Sequence, residues 1–415
     1  MTAMPHSHRW RFPRSLPSAL LLAIAAAIMV PGLEAASRQK SVFRSQPTEW
    51  NPELGSDPTV PIVFRPAWTF SGLAAPLAGD PVMAEGRLAA AGTTGEVVVI
   101  DPADGRTVWM QDLGEPIVTG ATIEGGLVLV AAGSGRLHAL DLEAGSRRWS
   151  ADLGSPASAP PRSAGGCLLV TTVAPAIVSL DPGSGAILGR FGLPGRAVSG
   201  AEPAGPDAIV GTDHGMVLRL EPRTLEVRWR RYLRLPVTAP PLVLEDRVYV
   251  AAGHTLRALR LKDGRPRWTA RAAARITARP FASGKFLYTQ CYDNDIYVMQ
   301  ARNGHLVARI RLGHRLVADP LSLVTHVVVA PSTEGSLIGL TLPGLRQAGR
   351  FDLGIPGEWF TTAPVGAADR VAVGYGRTEA RILGLALERG EPGGEGAPPA
   401  GGAGTDRTPA SPGRH

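Results

Sequence analysis

The sequence predicts an all-β fold, an eight-bladed β-propeller built from four-stranded antiparallel blades. Two observations predict it: a repeat of about 40 residues, and short apolar segments separated by turn residues within each repeat. One series of the repeat carries an aspartate or its replacement, at Asp101, Asp141, Asp181, Glu221, Arg260, Gln300 and Thr341. A second series lies eight residues further on, at Trp109, Trp149, Gly189, Trp229, Trp268, Ala308 and Gly349. Radial repetition of small antiparallel sheets is typical of propellers.

The repeat that begins near residue 117 shows how one blade is expected to form. Its four expected strands are short and rich in apolar residues: 117–123, 127–131, 137–140 and 147–153. The small residues of 133–135 separate the second strand from the third, and 141–145 turns the chain before the fourth. No segment follows the helical period over a useful length, which favours a fold made of strands.

A glycine precedes the tryptophan position by four residues in five repeats, at Gly105, Gly145, Gly185, Gly264 and Gly304. A tight turn there requires a positive φ angle, which glycine adopts without steric cost. An aspartate at the start of such a turn can accept hydrogen bonds from the amides that follow it. We therefore interpret Asp101, Asp141 and Asp181 as turn caps and not as catalytic groups. The tryptophans are expected to pack as wedges between blades, at Trp68, Trp109, Trp149, Trp229 and Trp268.

The two ends of the repeat region are expected to meet in one blade. The segment 63–73 carries Trp68 and is similar to the outermost strand of a repeat. The chain after Ala386 has a third-strand pattern and no outer strand before the tail. The N-terminal strand then completes the last blade, which removes an open sheet edge. Counting tryptophan-equivalent positions gives eight blades, and seven is the alternative if one degenerate repeat is miscounted.

The segment GSGRLHALDLEAGSRRWSADLG resembles the quinoprotein-type, or PQQ-like, repeat. The resemblance covers roughly Val63 to Gly390, although the third, sixth and seventh repeats lack the tryptophan and the fourth to seventh lack the aspartate. This repeat occurs in dehydrogenases that use pyrroloquinoline quinone (PQQ) and in many propellers that bind no quinone. In size and layout the chain is most similar to the BamB-type propellers of the outer-membrane β-barrel assembly machinery. That similarity implies a scaffold in envelope biogenesis.

The first 35 residues have the layout of a secretory signal peptide. Three arginines precede an apolar stretch at 19–30, and small residues at Ala35 and Ala36 offer a cleavage site. We expect a periplasmic protein with no stable membrane span after cleavage, and an uncleaved anchor is the alternative. No cysteine lies near the cleavage site, so the lipid anchor that the resemblance implies has no attachment point. Residues 36–60 are expected to form a flexible leader, 61–390 the propeller, and 391–415 a disordered tail rich in glycine and proline.

Positive charge is concentrated in the fourth and fifth repeats. The whole chain has a formal net charge of +7, whereas the window 223–279 alone holds 14 Lys and Arg against four Asp and Glu. A solvated outer face is one interpretation, and a docking surface for an acidic protein partner is the other. Nucleic acid is not expected as a partner because the chain carries an export signal. The candidate contact residues are Arg228, Arg230, Arg231, Arg265 and Arg267.

Trp359 and Phe360 form a second candidate contact patch. They lie on an insertion that interrupts the last repeat, where they either contact a partner or pack beneath the ring closure. The sequence predicts no catalytic, cofactor-binding or metal-binding residues. Cys167 and Cys291 fall in the third and sixth repeats, too far apart for a disulfide, and are expected to be buried free thiols. His214 and the acidic segment 293–295 lie at expected turns.

These features favour a monomeric, non-enzymatic scaffold in the periplasm that binds another envelope protein. One alternative is a PQQ-dependent dehydrogenase, but the Glu, Asn and Asp set that the resemblance implies around its calcium ion cannot be assembled from this sequence. Another alternative is a sensor or accessory subunit that binds a small ligand in the central channel.

Overall fold

A computed structural model describes residues 61–312, 316, 318–331, 335–367 and 369–390 of the chain. These residues contain 32 strands in eight four-stranded antiparallel sheets. In seven sheets the strands pair in chain order, so each sheet is one repeat of the sequence. The prediction of an all-β propeller with eight blades is confirmed, and the seven-bladed alternative is wrong. The expected signal peptide, leader and tail lie outside the described residues.

The strands are numbered in chain order. Blades 1 to 4 consist of β2–β5 (Val82–Ala84, Arg87–Ala91, Glu96–Ile100, Thr107–Asp112), β6–β9 (Thr122–Glu124, Leu127–Ala131, Arg136–Asp141, Arg147–Asp152), β10–β13 (Arg162–Ala164, Cys167–Thr172, Ala176–Leu180, Ile187–Gly192) and β14–β17 (Glu202–Ala204, Asp207–Gly211, Met216–Leu220, Val227–Tyr232). Blades 5 to 8 consist of β18–β21 (Leu242–Leu244, Arg247–Ala252, Thr255–Arg260, Pro266–Arg271), β22–β25 (Phe281–Ser283, Phe286–Gln290, Asp295–Gln300, Leu306–Arg311), β26–β29 (Leu321–Ser322, His326–Val329, Ser336–Thr341, Gln347–Asp352) and β30–β32 with β1 (Val365–Ala367, Arg370–Tyr375, Arg381–Arg389, Ile62–Phe70).

The first strand of each blade lines the centre of the ring, and the fourth lies on the outer wall. In each blade the turns between strands one and two and between strands three and four lie on one face, called here the lower face. The turn between strands two and three lies on the opposite, upper face. β1 pairs antiparallel with β32 as the outermost strand of blade 8. The expected closure by the N-terminal strand is therefore confirmed, and it covers the edge that β32 would otherwise expose.

The hydrophobic core lies between blades. In blade 3, all six residues of β11 are buried, so this strand is covered on both faces. The apolar side chains of neighbouring blades interdigitate; Leu129 of blade 2 and Leu168 of blade 3, for example, belong to one cluster. Burying such surface is the main driving force for the fold. Cys167 and Cys291 are buried free thiols within this core, as expected.

In each blade that has the tryptophan, the indole packs against a glycine of the next blade. We call this contact the tryptophan–glycine lock. The indole N–H of Trp149 donates to the carbonyl of Pro182 in the following blade, at 3.0 Å. Gly185 has a φ angle of 70°, and a Cβ atom there would lie 2.4 Å from the Trp149 ring. The glycine is therefore required both by the backbone and by the close approach of the indole. The expected wedges are confirmed, with the same contact in the pairs Trp68–Gly105, Trp109–Gly145, Trp229–Gly264 and Trp268–Gly304.

In two of the three blades that lack the tryptophan, a leucine of the next blade takes its space. Blade 3 has Gly189 at the tryptophan position, and the following turn has Leu225 at the glycine position, with a φ angle of 58°. A Cβ atom on Gly189 would lie 3.5 Å from the Leu225 side chain, an ordinary contact. Leu345, with a φ angle of 57°, lies in one cluster with Ala308 in the same way. In these two joints the large side chain comes from the glycine position of the following blade instead of the tryptophan position.

The aspartates of the repeat cap their own turns, as expected. One carboxylate oxygen of Asp141 accepts from the amides of Glu143 and Ala144, at 3.0 and 2.7 Å. Asp101 and Asp181 make the same kind of bond. The expected first strand at 117–123 is only partly right, because the regular strand β6 begins at Thr122. Ile117 instead forms an isolated bridge to Ala132.

Candidate interaction surface

Four of the five candidate arginines lie on the outer wall of blades 4 and 5, and the fifth lies in a turn on the lower face. Arg228, Arg230 and Arg231 are in β17, and Arg267 is in β21. Arg265 is in the lower-face turn just before β21. The sequence therefore located the right strands, but their fourth position in each sheet points the residues sideways from the ring.

The two sides of β17 carry different arginines. The Trp229 indole donates to Leu261 of blade 5, at 2.7 Å, so the side of β17 that carries Trp229 faces blade 5. Arg231 is two residues further along the strand and therefore shares that side. Its Nε donates to the carbonyl of Gly264, at 3.0 Å. Arg230 lies on the opposite side. Arg228 pairs with carboxylates of its own blade, whereas Arg230 is exposed and bonds to no carboxylate in the described part of the chain.

The other wall of the blade 4–blade 5 crevice is β21. Trp268 faces blade 6, where its indole donates to Ala301, so Arg271, three residues further along the strand, faces blade 4. At the lower end of β21, Arg267 lies 3.8 Å from Asp246 of its own blade. Arg265 lies 3.5 Å from Asp263 at the same end. These arginines already have acidic partners within the protein.

At the upper end of the crevice, Arg234, Arg257 and Arg271 form a cluster that we call the arginine triad. Arg271 is opposite Thr255 in the β20–β21 register, and Arg257 follows two residues later on the same side of β20. The Nε of Arg257 is buried without a hydrogen-bond partner. Burial, followed by the charges of Arg271 and Arg234, lowers the pKa of Arg257. No carboxylate among the described residues bonds to any of the three.

The three triad arginines lie within the basic window 223–279, but the sequence does not show that they come together in the fold. Tyr232 was also missed, although it lies on the same side of β17 as Arg230 and is 59% exposed. The two-residue spacing of Arg230 and Tyr232 in an expected outer strand is the signal that could have revealed this pair. Exposed tyrosine beside arginine is a combination enriched in protein interfaces.

The two residues of the second candidate patch, Trp359 and Phe360, differ in their exposure. Phe360 is 4% exposed and packs in the core cluster of blades 7 and 8, so the contact role for Phe360 is wrong and the packing alternative is right. Its place opposite Tyr375 in an isolated bridge directs it inward. Trp359 is half-buried, and the guanidinium of Arg377 lies 4.7 Å from its ring centroid. This patch lies on blade 8, on the other side of the ring from the arginine triad.

Three carboxylates around the central channel have bonding partners within the protein. Arg279, before the first strand of blade 6, reaches past blade 5 to form an ion pair with Glu202 of blade 4. Asp319 accepts from the Arg279 amide at 2.9 Å, and Asp80 accepts from the Ala363 amide at 2.8 Å. Burial raises the pKa of Asp80, and the charge of Asp319 adds to this shift. These engaged carboxylates do not fit a bound PQQ with a calcium ion.

The polar turns noted in the sequence are also occupied by internal partners. Asp295 is buried and forms ion pairs with Arg309 and Arg311, while Asp293 accepts from the Tyr297 hydroxyl at 2.6 Å. Arginine and tyrosine donors thus neutralise this acidic segment, which is an internal network of blade 6. His214 is exposed at the upper-face turn of blade 4, where its Nδ1 lies 3.2 Å from the Pro194 carbonyl.

The fold and its tryptophan-marked repeat define a PQQ-like repeat β-propeller. A family model described as outer membrane protein assembly factor BamB matches residues 65–175 and 173–342. The chain belongs to that family. Among curated proteins, none matches the chain in sequence.

Solved structures share the fold at low identity. BamB from Moraxella catarrhalis is 18% identical, with 78% of this chain and 100% of that chain covered and a TM-score of 0.67. The computationally designed protein Ika8 is 13% identical, with 77% and 99% covered and a TM-score of 0.65. The quinohemoprotein alcohol dehydrogenase ADHIIG from Pseudomonas putida HK5 is 12% identical, with 81% and 78% covered and a TM-score of 0.60. At these identities the likeness shows the fold alone.

In the described part of the chain, no helix is long and apolar enough to cross a membrane.

Proposed function

We propose that the protein is a non-enzymatic scaffold of the cell envelope that binds an acidic protein through the outer wall of blades 4 and 5. The observation that carries this proposal is the arginine triad, in which the half-buried Arg257 feels the charges of the exposed Arg234 and Arg271 and none of the three has a carboxylate partner among the described residues. Holding like charges together in a half-buried crevice costs free energy, and an incoming carboxylate offsets that cost. Arg230 and Tyr232, on the other side of β17 from this crevice, extend the contact surface around the outer edge of blade 4.

The placement on the outer wall suits a scaffold. The wall is built from strands that are fixed by the tryptophan–glycine locks, so its arginines are held in place before the partner arrives. Preorganised contacts lose less conformational entropy on binding. The uncompensated positive charge also accelerates encounter with an acidic surface, and this effect weakens as salt screens it.

The compartment and the pathway are part of the proposal. The layout of residues 1–35 supports export to the periplasm, and the family description as an outer membrane protein assembly factor supports a role in envelope biogenesis. We propose that the partner is a component of outer-membrane protein assembly and that the propeller acts as a monomer.

Charge reversal in the triad tests the proposed surface. The double variant Arg234→Glu/Arg271→Glu is expected to lose at least tenfold of the partner recovered by crosslinking and pull-down from the native envelope, because attraction between the partner's carboxylates and these two arginines is replaced by repulsion. The matched control is Arg106→Glu/Arg147→Glu, which makes the same charge change at exposed positions of blades 1 and 2. Equal recovery of every partner by both double variants would contradict the proposal.

Catalysis through a bound quinone is not part of the proposed function. Asp80, Glu202 and Asp319 around the channel are already engaged in bonds within the protein, which supports a function without a bound quinone. Adding PQQ and Ca²⁺ to the purified protein is expected to give neither a bound-quinone absorbance nor alcohol oxidation. Stoichiometric quinone binding would instead favour the dehydrogenase alternative.

A further inference from the structure

Two neighbouring blades contain the same glycine turn on the lower face. Gly125 and Gly126 join the first two strands of blade 2, with φ angles of 57° and 74°. Gly165 and Gly166 join the first two strands of blade 3, with φ angles of 53° and 75°. The two turns therefore have closely matching backbones, and successive amides in such a turn point in a common direction. Backbone concavities of this type bind anions.

The turn of blade 2 holds a carboxylate. Glu85, in the equivalent turn of blade 1, reaches across the joint between the blades. Its two oxygens accept from the amides of Gly125 and Gly126, at 2.8 and 2.9 Å. A carboxylate with one oxygen on each amide makes two charge-assisted hydrogen bonds. The protein itself thus shows which group this turn binds.

The turn of blade 3 receives no such group from its neighbour. The position equivalent to Glu85 in blade 2 is Gly125, which has no side chain. No oxygen of the described residues accepts a hydrogen bond from the amide of Gly165 or of Gly166. The turn instead lines a cavity of about 850 Å³ on the lower face, together with the blade 2 turn, Gly205 and Arg148. This volume is in the range of sites that hold small-molecule or short peptide ligands.

We propose that the Gly165–Gly166 turn is a binding site for a ligand carboxylate. The bound carboxylate takes the position relative to this turn that the Glu85 carboxylate has in blade 2. Arg148 supplies the positive charge of the cavity. It already donates through Nε and Nη2 to Asp141, at 3.1 and 2.6 Å, which leaves Nη1 to donate to the ligand.

The acidic side chains of the cavity do not prevent this binding. One oxygen of Asp141 is taken by the amides of its own turn, and the other is taken by Arg148. Hydrogen bonds to these partners lower the pKa of Asp141, led by the bond from Arg148. Glu124 is the other carboxylate of the lining, and it is exposed to solvent at the rim. The site is separate from the arginine triad and does not depend on the proposed partner.

In the decisive variant, Gly125→Glu, a carboxylate of the protein itself is expected to occupy the Gly165–Gly166 turn. Gly125→Glu places a glutamate at the position equivalent to Glu85, which already adopts a φ angle of 50°. A Cβ atom at Gly125 meets nothing within 4 Å, so the side chain can be accommodated. Gly284→Glu is the matched control, because Gly284 has a φ angle of 53° and equally free space in blade 6, away from the cavity.

The probe is a terminally blocked tripeptide, N-acetyl-Ala-Glu-Ala-amide, titrated into the protein and followed through the amide resonances of Gly165 and Gly166. We expect both amide protons to shift downfield and the matching Gln peptide to bind about tenfold more weakly, since charged acceptors make the stronger hydrogen bonds. Gly125→Glu is expected to abolish the shifts, and Gly284→Glu to leave them unchanged. Hydrogen bonds from the Gly165 and Gly166 amides to the introduced carboxylate would also stabilise the fold. Gly125→Glu should therefore melt at a higher temperature than Gly284→Glu.

Two arms separate the possible sources of the carboxylate. Succinate binding as tightly as the Glu peptide would support the site with a small carboxylic acid as its ligand, and tighter binding of the peptide would support an acidic peptide segment. Equal binding of the Glu and Gln peptides, or no shift at Gly165 and Gly166 with either probe, would overturn the proposal. Equal melting temperatures of the two glutamate variants would also overturn it.

Discussion

The exchange of tryptophan and leucine between regular and degenerate repeats predicts a measurable coupling. Trp149→Gly combined with Gly185→Leu would convert the joint of blades 2 and 3 into the form found at Gly189 and Leu225. Trp149→Gly alone is expected to cost about 4 kcal/mol, the usual loss for truncating a buried tryptophan. Gly185→Leu alone is expected to cost about 4 kcal/mol as well, from a left-handed backbone at ~1–2 kcal/mol and overpacking against the indole at ~1–3 kcal/mol.

The double variant should lose less stability than the two single losses together. Removing the indole eliminates the clash that Gly185→Leu creates, and the leucine fills part of the space that Trp149→Gly leaves. The backbone hydrogen bond of the turn is conserved in both forms, since Gly185 and Leu225 each donate to the residue four positions earlier at 2.9 Å. We therefore expect a favourable coupling of about 2–3 kcal/mol, within the range for residues in direct contact.

Equilibrium unfolding in guanidinium chloride, followed by far-ultraviolet circular dichroism, measures this coupling. The slopes of the four proteins must agree for the free energies of unfolding to be compared. Trp359→Gly combined with Gly185→Leu is the control, because these residues lie in different joints and their effects should add to within ~0.5 kcal/mol. A coupling below ~0.5 kcal/mol in the Trp149–Gly185 pair would refute the idea that the two residues form one lock.

Three further predictions concern single residues. Glu85→Gln should lower the free energy of unfolding by about 1 kcal/mol, because two charge-assisted hydrogen bonds become neutral ones, and an unchanged denaturation midpoint would argue against the carboxylate-binding turn. The pKa of Asp263 is lowered from 3.8 to about 2, chiefly by its hydrogen bond with Arg260. The Asp263 carboxylate therefore stabilises the fold above about pH 4 and loses this effect between about pH 4 and 2, so Asp263→Asn should flatten that part of a stability–pH curve. Burial raises the pKa of the Cys291 thiol, and both cysteines should resist a thiol reagent until the protein unfolds, whereas labelling in native buffer would disagree with their buried positions.

The features that the sequence predicted correctly depend on local geometry repeated many times. A positive φ angle at Gly145 or Gly185 is set by a tight turn, and the turn recurs with the period, so spacing alone identifies it. The ring closure followed in the same way, because β1 repeats the outer-strand pattern with Trp68 while the chain after β32 does not. The start of β6 was misplaced because the bridge from Ile117 to Ala132 continues the apolar pattern without continuing the regular strand.

The details of the interaction surface could not be predicted because they depend on register and burial. The pairing of the third and fourth strands shifts register once in blade 4 and once in blade 5. Such bulges change which arginines share a face, and strict alternation in the sequence does not show them. The inward direction of the Phe360 side chain likewise depends on the bridge between Phe360 and Tyr375 of β31, a pairing that the sequence does not show.

Site-specific photocrosslinking from Tyr232 tests the central claim most directly. A photoreactive amino acid at this position samples the side of β17 that carries Arg230, and the same group at Met110, an exposed residue of β5 in blade 1, is the control. We predict a defined protein adduct from position 232 in the native envelope, its loss in the Arg234→Glu/Arg271→Glu background, and no adduct from position 110. An adduct from position 110 with none from position 232 would contradict the assignment of the binding surface to blades 4 and 5.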